Sequence, residues 1–376
     1  MVPSTVASAL TRARRLGRYA GRWARHHLGL DSPGLVYVID NFGWALGEIG
    51  VYLRAHALRA GFERFELTDE GRAHYGRVVH FASQYFVNQD LHVTTSASNR
   101  LVFTWLHGDP QDADRATAEL FRRLPEAVAR ADRIVTSTDG AADQLIRAGC
   151  PPDKIIKIPL GVELARFRPA APDERRRRRA DLGIPEHAFV VGSFQKDGVG
   201  WGEGLEPKRV KGPDVFVDAL VRFRATRPGV HALLLGPARG YVKTELTRHG
   251  IPFTHRVVER LDDTAPYYDA LDAYLIASRT EGGPLALMES MAKQVPVVST
   301  RMGMPAELLA DGTCGLLAEI EDARGLADQL GVIAEDVARR DAMTKAALAR
   351  VQSYGWEQLT QRYLSEVWRP LLDTLS

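Results

Sequence analysis

Short apolar runs recur along this chain, and between them lie segments whose apolar positions fall three or four residues apart. Leu35-Val-Tyr-Val-Ile39, Val78-Val-His-Phe81, Leu101-Val-Phe-Thr104 and Arg133-Ile-Val-Thr136 open the series, and Asp153-Lys-Ile-Ile-Lys-Ile-Pro159 closes its first half. Runs this short suit strands buried on both faces, and the spacing between them suits helices laid over a parallel sheet. Residues 164–172, ending in Arg168-Pro-Ala-Ala-Pro172, read as a linker. The pattern then restarts with Phe189-Val-Val-Gly192, Ala232-Leu-Leu-Leu235, Ala273-Tyr-Leu-Ile276 and Val295-Pro-Val-Val298. Two parallel α/β domains are predicted, over residues 34–165 and 170–356, with an amphipathic helical segment at 357–376.

Residues 1–33 follow a different pattern. Val6, Leu10, Ala13, Leu16, Ala20, Trp23 and His27 recur at helical spacing opposite Arg12, Arg15, Arg18, Arg22 and Arg25, and no acidic residue precedes Asp31. Three readings stay open for residues 6–30. A basic amphipathic helix with Trp can lie on an anionic membrane surface. It can also pack on the protein's own surface, or act as an Arg-rich transit leader.

The totals narrow the class. A chain of 376 residues accommodates two domains at about 100–200 residues each. Its hydrophobic share of 45% and charged share of 26% are those of a globular protein. The formal charge of +2 gives no reason to expect nucleic acid, and the five arginines at 175–179 read as a solvated helix face. Two cysteines, Cys150 and Cys314, make no disulfide framework, so a reducing cytoplasm is the expected setting. No run approaches the roughly 18 apolar residues that cross a bilayer. Membrane contact, if any, is expected to be peripheral, on the inner face.

The stretch with the most chemistry is Ser278-Arg-Thr-Glu-Gly-Gly-Pro-Leu-Ala-Leu-Met-Glu-Ser-Met-Ala292. Glu281 and Glu289 stand eight positions apart around an expected helix start. Gly282 and Gly283 leave room for a close ligand, and Pro284 suits a first helical position. The free N–H groups of that turn and the helix dipole favour an anion there. A ligand with phosphate in the middle and hydroxyls at both ends fits, and a nucleotide sugar is such a ligand.

Glu281 to Glu289 resembles the Glu-x7-Glu signature of retaining glycosyltransferases of the GT-B fold, glycosyltransferase family 4. The likeness continues through Pro296-Val-Val-Ser-Thr-Arg-Met-Gly303, Glu307 and Asp311-Gly-Thr-Cys-Gly-Leu-Leu317. Weaker likenesses are Thr104-Trp-Leu-His-Gly108, Ile158-Pro-Leu-Gly-Val-Glu163 and Val191-Gly-Ser with Lys211-Gly212. The resemblance implies two Rossmann-like doubly wound domains facing across a cleft, with the C-terminal helix crossing back onto the first. It implies transfer of a sugar from a nucleoside-diphosphate sugar, UDP- or GDP-linked, to an acceptor hydroxyl. The acceptor would be a glycan, a lipid-linked saccharide or a small molecule. Neither metal nor cofactor is expected.

By the same resemblance Glu289 would accept from the ribose hydroxyls and Glu281 would hold the donor sugar. Gly282, Gly283, Pro284 and Leu285 would face the diphosphate, with Lys211 against the leaving group and His107 beside the reacting centre. The family's Arg after the strand-ending Gly is replaced by Ser193, which leaves the second cation among Lys196, Lys208 and Arg209, with Lys208 preferred. The Gly-rich loop 195–207 reads equally as a cover for the donor and as a surface loop. Gly43 lies where backbone can approach phosphate. Asp112-Ala-Asp114 reads as a helix start, not a metal motif. Two rivals remain: a nucleotide-sugar-binding scaffold without turnover, and a glycoside hydrolase using Glu281 and Glu289. The hydrolase needs its carboxyls about 5–5.5 Å apart.

Overall fold

A computed structural model describes residues 4–30, 32–40, 45–108 and 115–375, with side chains of the first helix from Arg15 onward. The apolar runs form two six-stranded sheets in which every neighbouring pair is parallel. The first comprises β1 (Leu35–Val38), β2 (Phe65–Thr68), β3 (Val78–Phe81), β4 (Arg100–Trp105), β5 (Arg133–Thr136) and β6 (Ile155–Lys157). Its order is β2-β1-β3-β4-β5-β6. The second comprises β7 (Phe189–Phe194), β8 (Val230–Leu235), β9 (Phe253–Arg256), β10 (Ala273–Ile276), β11 (Val297–Thr300) and β12 (Leu316–Ala318), in the order β12-β11-β10-β7-β8-β9.

Strand order reverses between β1 and β3 in one sheet and between β7 and β10 in the other. Connections leave such a point toward opposite faces, which opens a crevice beyond the carboxyl ends of the strands. The interior strands β1, β3, β8, β10 and β11 are buried at every position. The edge strands β2, β6 and β9 are partly exposed.

The chain returns to the first domain at its C-terminal end. Trp356 N–H donates to the Val162 carbonyl at 3.2 Å, and its ring lies 6.2 Å from that of Tyr52. Trp368 is wholly buried and its indole N–H donates to His80 Nδ1 at 3.0 Å. His80 therefore carries its proton on Nε2, which lies 2.9 Å from the Thr104 hydroxyl. Burial holds the His80 pKa down at about 3, so the imidazole stays neutral.

The leading helix Ser4–His27 docks on the first domain through its polar side. Arg22 donates to Glu66 at 2.5 Å, Tyr19 donates to Glu70, and the His26 ring stacks on Tyr75. Leu16 and Trp23 point outward, 59% and 53% exposed, and Leu28 and Leu30 follow them at the surface. The helix thus covers its own domain with basic residues and presents apolar ones to solvent. Among the described residues no helix is long and apolar enough to cross a membrane.

Candidate active site

The two crevices face each other, and between them lies a cleft of about 440 Å³. Asp40 follows β1, Gln84 and Tyr85 follow β3, and His107 follows β4 on one wall. Lys196, Lys208, Lys211 and the segment Glu281–Ala286 with Glu289 form the other. Of the residues singled out in the sequence, His107, Lys208, Lys211, Glu281, Gly282, Gly283, Pro284, Leu285 and Glu289 meet here. Gly43 lies outside the described residues. So do Asp112 and Asp114.

Two local expectations need correction, and the two glycines have a further reason to be there. The helix runs Leu285–Ala292, and Pro284 is its N-cap with extended backbone (φ −68°, ψ 123°), not its first helical residue. Among the described residues no side chain caps this helix, so its first N–H groups keep their anion-attracting character. Gly282 is required by the protein itself, because a Cβ there would overlap the Leu106 carbonyl of the opposite domain. Gly283 likewise makes way for Met304. Both still line the cleft. The second correction is Ser193, which is buried beneath the cleft and does not face it.

What occupies Ser193 is Arg239, from the turn after β8. Its guanidinium is wholly buried and donates to the carbonyls of Ser193, Gln195 and Leu235 at 2.6, 2.8 and 2.9 Å, and to the Ser193 hydroxyl at 3.1 Å. Its charge is met by buried Asp197 at 3.0 Å. Arg239 therefore does not supply the missing cation to the cleft. Of the three other candidates, Lys196 and Lys208 line the cleft and Arg209 turns toward Asp214.

Lys211 Nζ donates to Glu281 Oε1, and the Ser278 hydroxyl donates to Oε2 at 3.0 Å. Burial first, then the charge of Lys208, draws the Lys211 ammonium down to about 7, with Asp197 pulling the other way. Contact with the Glu281 carboxylate favours the charged form. Arg279 clamps the two loops that carry this pair. It bonds both carboxylate oxygens of Asp214 at 2.9 and 2.8 Å and the Arg209 carbonyl at 2.7 Å, and its own N–H reaches the Val210 carbonyl at 2.9 Å. Arg279 stands two residues before the Glu281 signature, yet nothing in the sequence spacing marks it as a clamp.

Glu289 lies one layer deeper. Tyr268 donates to its Oε2 at 2.5 Å, and Oε1 has no donor among the described residues. Burial raises the Glu289 carboxyl to about 7; Tyr268 opposes that shift and the charge of Asp262 adds to it. Tyr268 itself packs edge-on against Phe194 at 4.7 Å. On the facing wall His107 is drawn down to about 4 by burial, then by Lys211 and Lys208, and is neutral near pH 7. Its carbonyl accepts from Gln84 at 2.5 Å. The cleft thus joins two lysines with no carboxylate partner among the described residues (Lys196, Lys208), a paired one, an uncapped helix terminus and two carboxylates in separate layers. That is a cradle for an anion flanked by hydroxyl groups. Another hollow, of about 360 Å³, is bordered by cations mostly paired already, among them Lys293 with Asp269 and Arg168 with Glu174.

Residues 199–336 match the family described as Glycosyl transferases group 1. A D-inositol 3-phosphate glycosyltransferase of Acidothermus cellulolyticus is 31% identical over 261 residues, 66% of this chain and 55% of that protein. The chain spans about half the length of the curated relatives it matches. The structure of Anabaena HepE in complex with UDP-glucose superposes with a TM-score of 0.71 at 18% identity, over 89% of this chain and 99% of that one. Sucrose-phosphate synthase from Thermosynechococcus elongatus superposes at 0.70 with 17% identity, over 92% and 100%. At such identities the two structures speak for the fold alone.

Proposed function

Starting from a chain with the GT-B fold and a group 1 glycosyl transferase segment, we propose that it moves a sugar from a nucleoside-diphosphate sugar to an acceptor hydroxyl. The observation that carries this reading is the order of groups along one helix. Glu281 with Lys211 stands before its uncapped N-terminus, and Glu289 with Tyr268 stands within it. The donor sugar would bond Glu281, the diphosphate would lie over the helix start between Lys211 and Lys208, and the ribose would bond Glu289 Oε1.

As the leaving diphosphate gains charge, Lys211, Lys208 and the helix dipole would stabilise it without a metal. Neutral His107 offers a hydrogen bond beside the reacting carbon without adding positive charge. Transfer with retention follows from the family resemblance, the departing phosphate oxygen taking the acceptor proton on the same face. Closure of the cleft would exclude water. Glu281 before the helix and Glu289 one layer deeper within it are not placed to flank a single glycosidic bond as an acid–nucleophile pair. HepE was solved with UDP-glucose, so a UDP-sugar is the donor we favour. The outward apolar residues of the leading helix, beside Arg18 and Arg25, support docking on an anionic membrane surface.

The deciding experiment is release of UDP from UDP-glucose, alongside thermal-shift comparison of UDP, GDP and ADP. Stabilisation by UDP with slow release, lost in Glu289→Gln, is the expected result. A protein that binds none of the three overturns the reading.

A further inference from the structure

The segment between β7 and the Lys211 turn is longer than the common few-residue connection, yet it is folded. Val199 N–H donates to the Glu206 carbonyl at 2.9 Å, Gly198 pairs with Pro207 in antiparallel sense, and Lys208 N–H donates to the Asp197 carbonyl at 2.7 Å. The hairpin so formed is tied to the domain. Gly240 N–H reaches the Glu203 carbonyl at 2.7 Å and Tyr241 N–H reaches that of Gly204 at 2.8 Å. Beneath it the Asp197–Arg239 pair is wholly buried.

At the tip stands Trp201, 63% exposed and facing the cleft. The Lys196 ammonium lies 4.7 Å from its ring centre. Lys208 follows at the base of the hairpin, and its charge acts on Lys196, on Lys211 and on His107 of the opposite wall. Trp201 therefore ends a row of cations that starts at the reacting groups. Tyr85, 40% exposed, faces the same cleft from the other domain.

We propose that Trp201 is the stacking platform of an acceptor subsite for a hydroxylated ring, a saccharide or a cyclitol. This rests on the glycosyltransferase reading. Such a ring has an apolar C–H face that lies flat on an indole, while its hydroxyls meet water or the polar wall. A prebuilt hairpin holds the indole in place, so little ordering opposes binding. The row Trp201–Lys196–Lys208 runs toward His107 on the opposing domain. That direction favours the acceptor over the nucleobase, whose ribose belongs with buried Glu289.

The test compares wild type, Trp201→Ala and Trp201→Phe, with UDP affinity by calorimetry and UDP release from UDP-glucose with and without ring acceptors. The acceptor probes are methyl glucoside, myo-inositol and D-inositol 3-phosphate. Trp201→Ala is expected to raise the KM of the active probe about tenfold or more, the loss usual for an aromatic anchor. UDP affinity and acceptor-free hydrolysis should stay within about twofold, and Trp201→Phe should recover most of the KM. Loss of UDP affinity in Trp201→Ala would make the indole a base platform and overturn the proposal, as would an unchanged KM. If wild type binds UDP but no ring raises UDP release above hydrolysis, the ring-acceptor assignment falls while the donor reading stands. If wild type does not bind UDP, the reading beneath it falls too.

Discussion

Tyr268 donates its hydroxyl hydrogen to Glu289 Oε2 at 2.5 Å, inside the second domain and one layer below the cleft. The contact holds the carboxylate in one orientation and directs Oε1 to the cleft. A carboxyl raised by burial to about 7 is half-protonated at neutral pH. Ligand binding there is then coupled to a proton.

The first prediction concerns that proton. Ribose hydroxyls bond the ionised form best, so UDP affinity should rise between pH 6 and 8 with a proton released on binding. Calorimetry in two buffers of different ionisation enthalpy reads this directly. Glu289→Gln should flatten the profile and weaken UDP by about 1.5–3 kcal/mol, the usual worth of a hydrogen bond to a charged group. The stability sign is opposite. The folded state binds more protons than the unfolded one between the ordinary carboxyl range and about pH 7, so this group's contribution falls as pH rises through that window. Glu289→Gln should remove that slope from denaturation midpoints.

Lys211 should act on turnover more than on nucleotide binding. Lys211→Ala is expected to lower kcat by about 10²–10³, the cost of losing one group aimed at developing charge. Turnover should persist in excess chelator. Activity that vanishes in chelator and returns with manganese would refute the metal-free mechanism.

Trp368 tests the return of the chain to the first domain. Its ring is wholly buried, and its N–H holds His80 in one tautomer. Trp368→Ala should cost about 3–5 kcal/mol in urea unfolding through cavity formation. Trp368→Phe should cost less but still leave His80 Nδ1 without a donor. A loss below about 1 kcal/mol in Trp368→Ala would mean that the C-terminal segment adds little to the first domain.

For the leading helix, the outward pair Leu16 and Trp23 is decisive. Wild type should co-sediment with vesicles containing anionic lipid, and less so as salt rises. The double change Leu16→Ser with Trp23→Ser should reduce binding at least several-fold while UDP affinity is unchanged, because neither side chain faces the cleft. Equal sedimentation of both proteins would leave the helix a purely structural cover.

How legible all this was depended on burial. β1, β3, β8, β10 and β11 are interior strands, buried on both faces, and their apolar runs stand out in the sequence. β2, β9 and β12 escape the same reading, and all three are edge strands. Phe65-Glu-Leu-Thr68 and Phe253-Thr-His-Arg256 carry polar side chains because their sheets stop there. In the site, Glu281 and Lys211 were legible because they sit beside glycines in short motifs, and Glu289 because it stands at a fixed spacing from Glu281. Tyr268, Arg239 and Arg279 were not. Each meets its partner through space: Tyr268 lies 21 residues from Glu289, and Arg239 lies 46 from Ser193.

The closing segment also has a consequence for synthesis on the ribosome. Trp356, Tyr363 and Trp368 fill the first domain's core, yet they are translated only after the whole second domain. Until they emerge, the surface that Tyr37, Phe65 and His80 later share with Trp368 is uncovered. The first domain's core can therefore be completed only after the second domain has been translated.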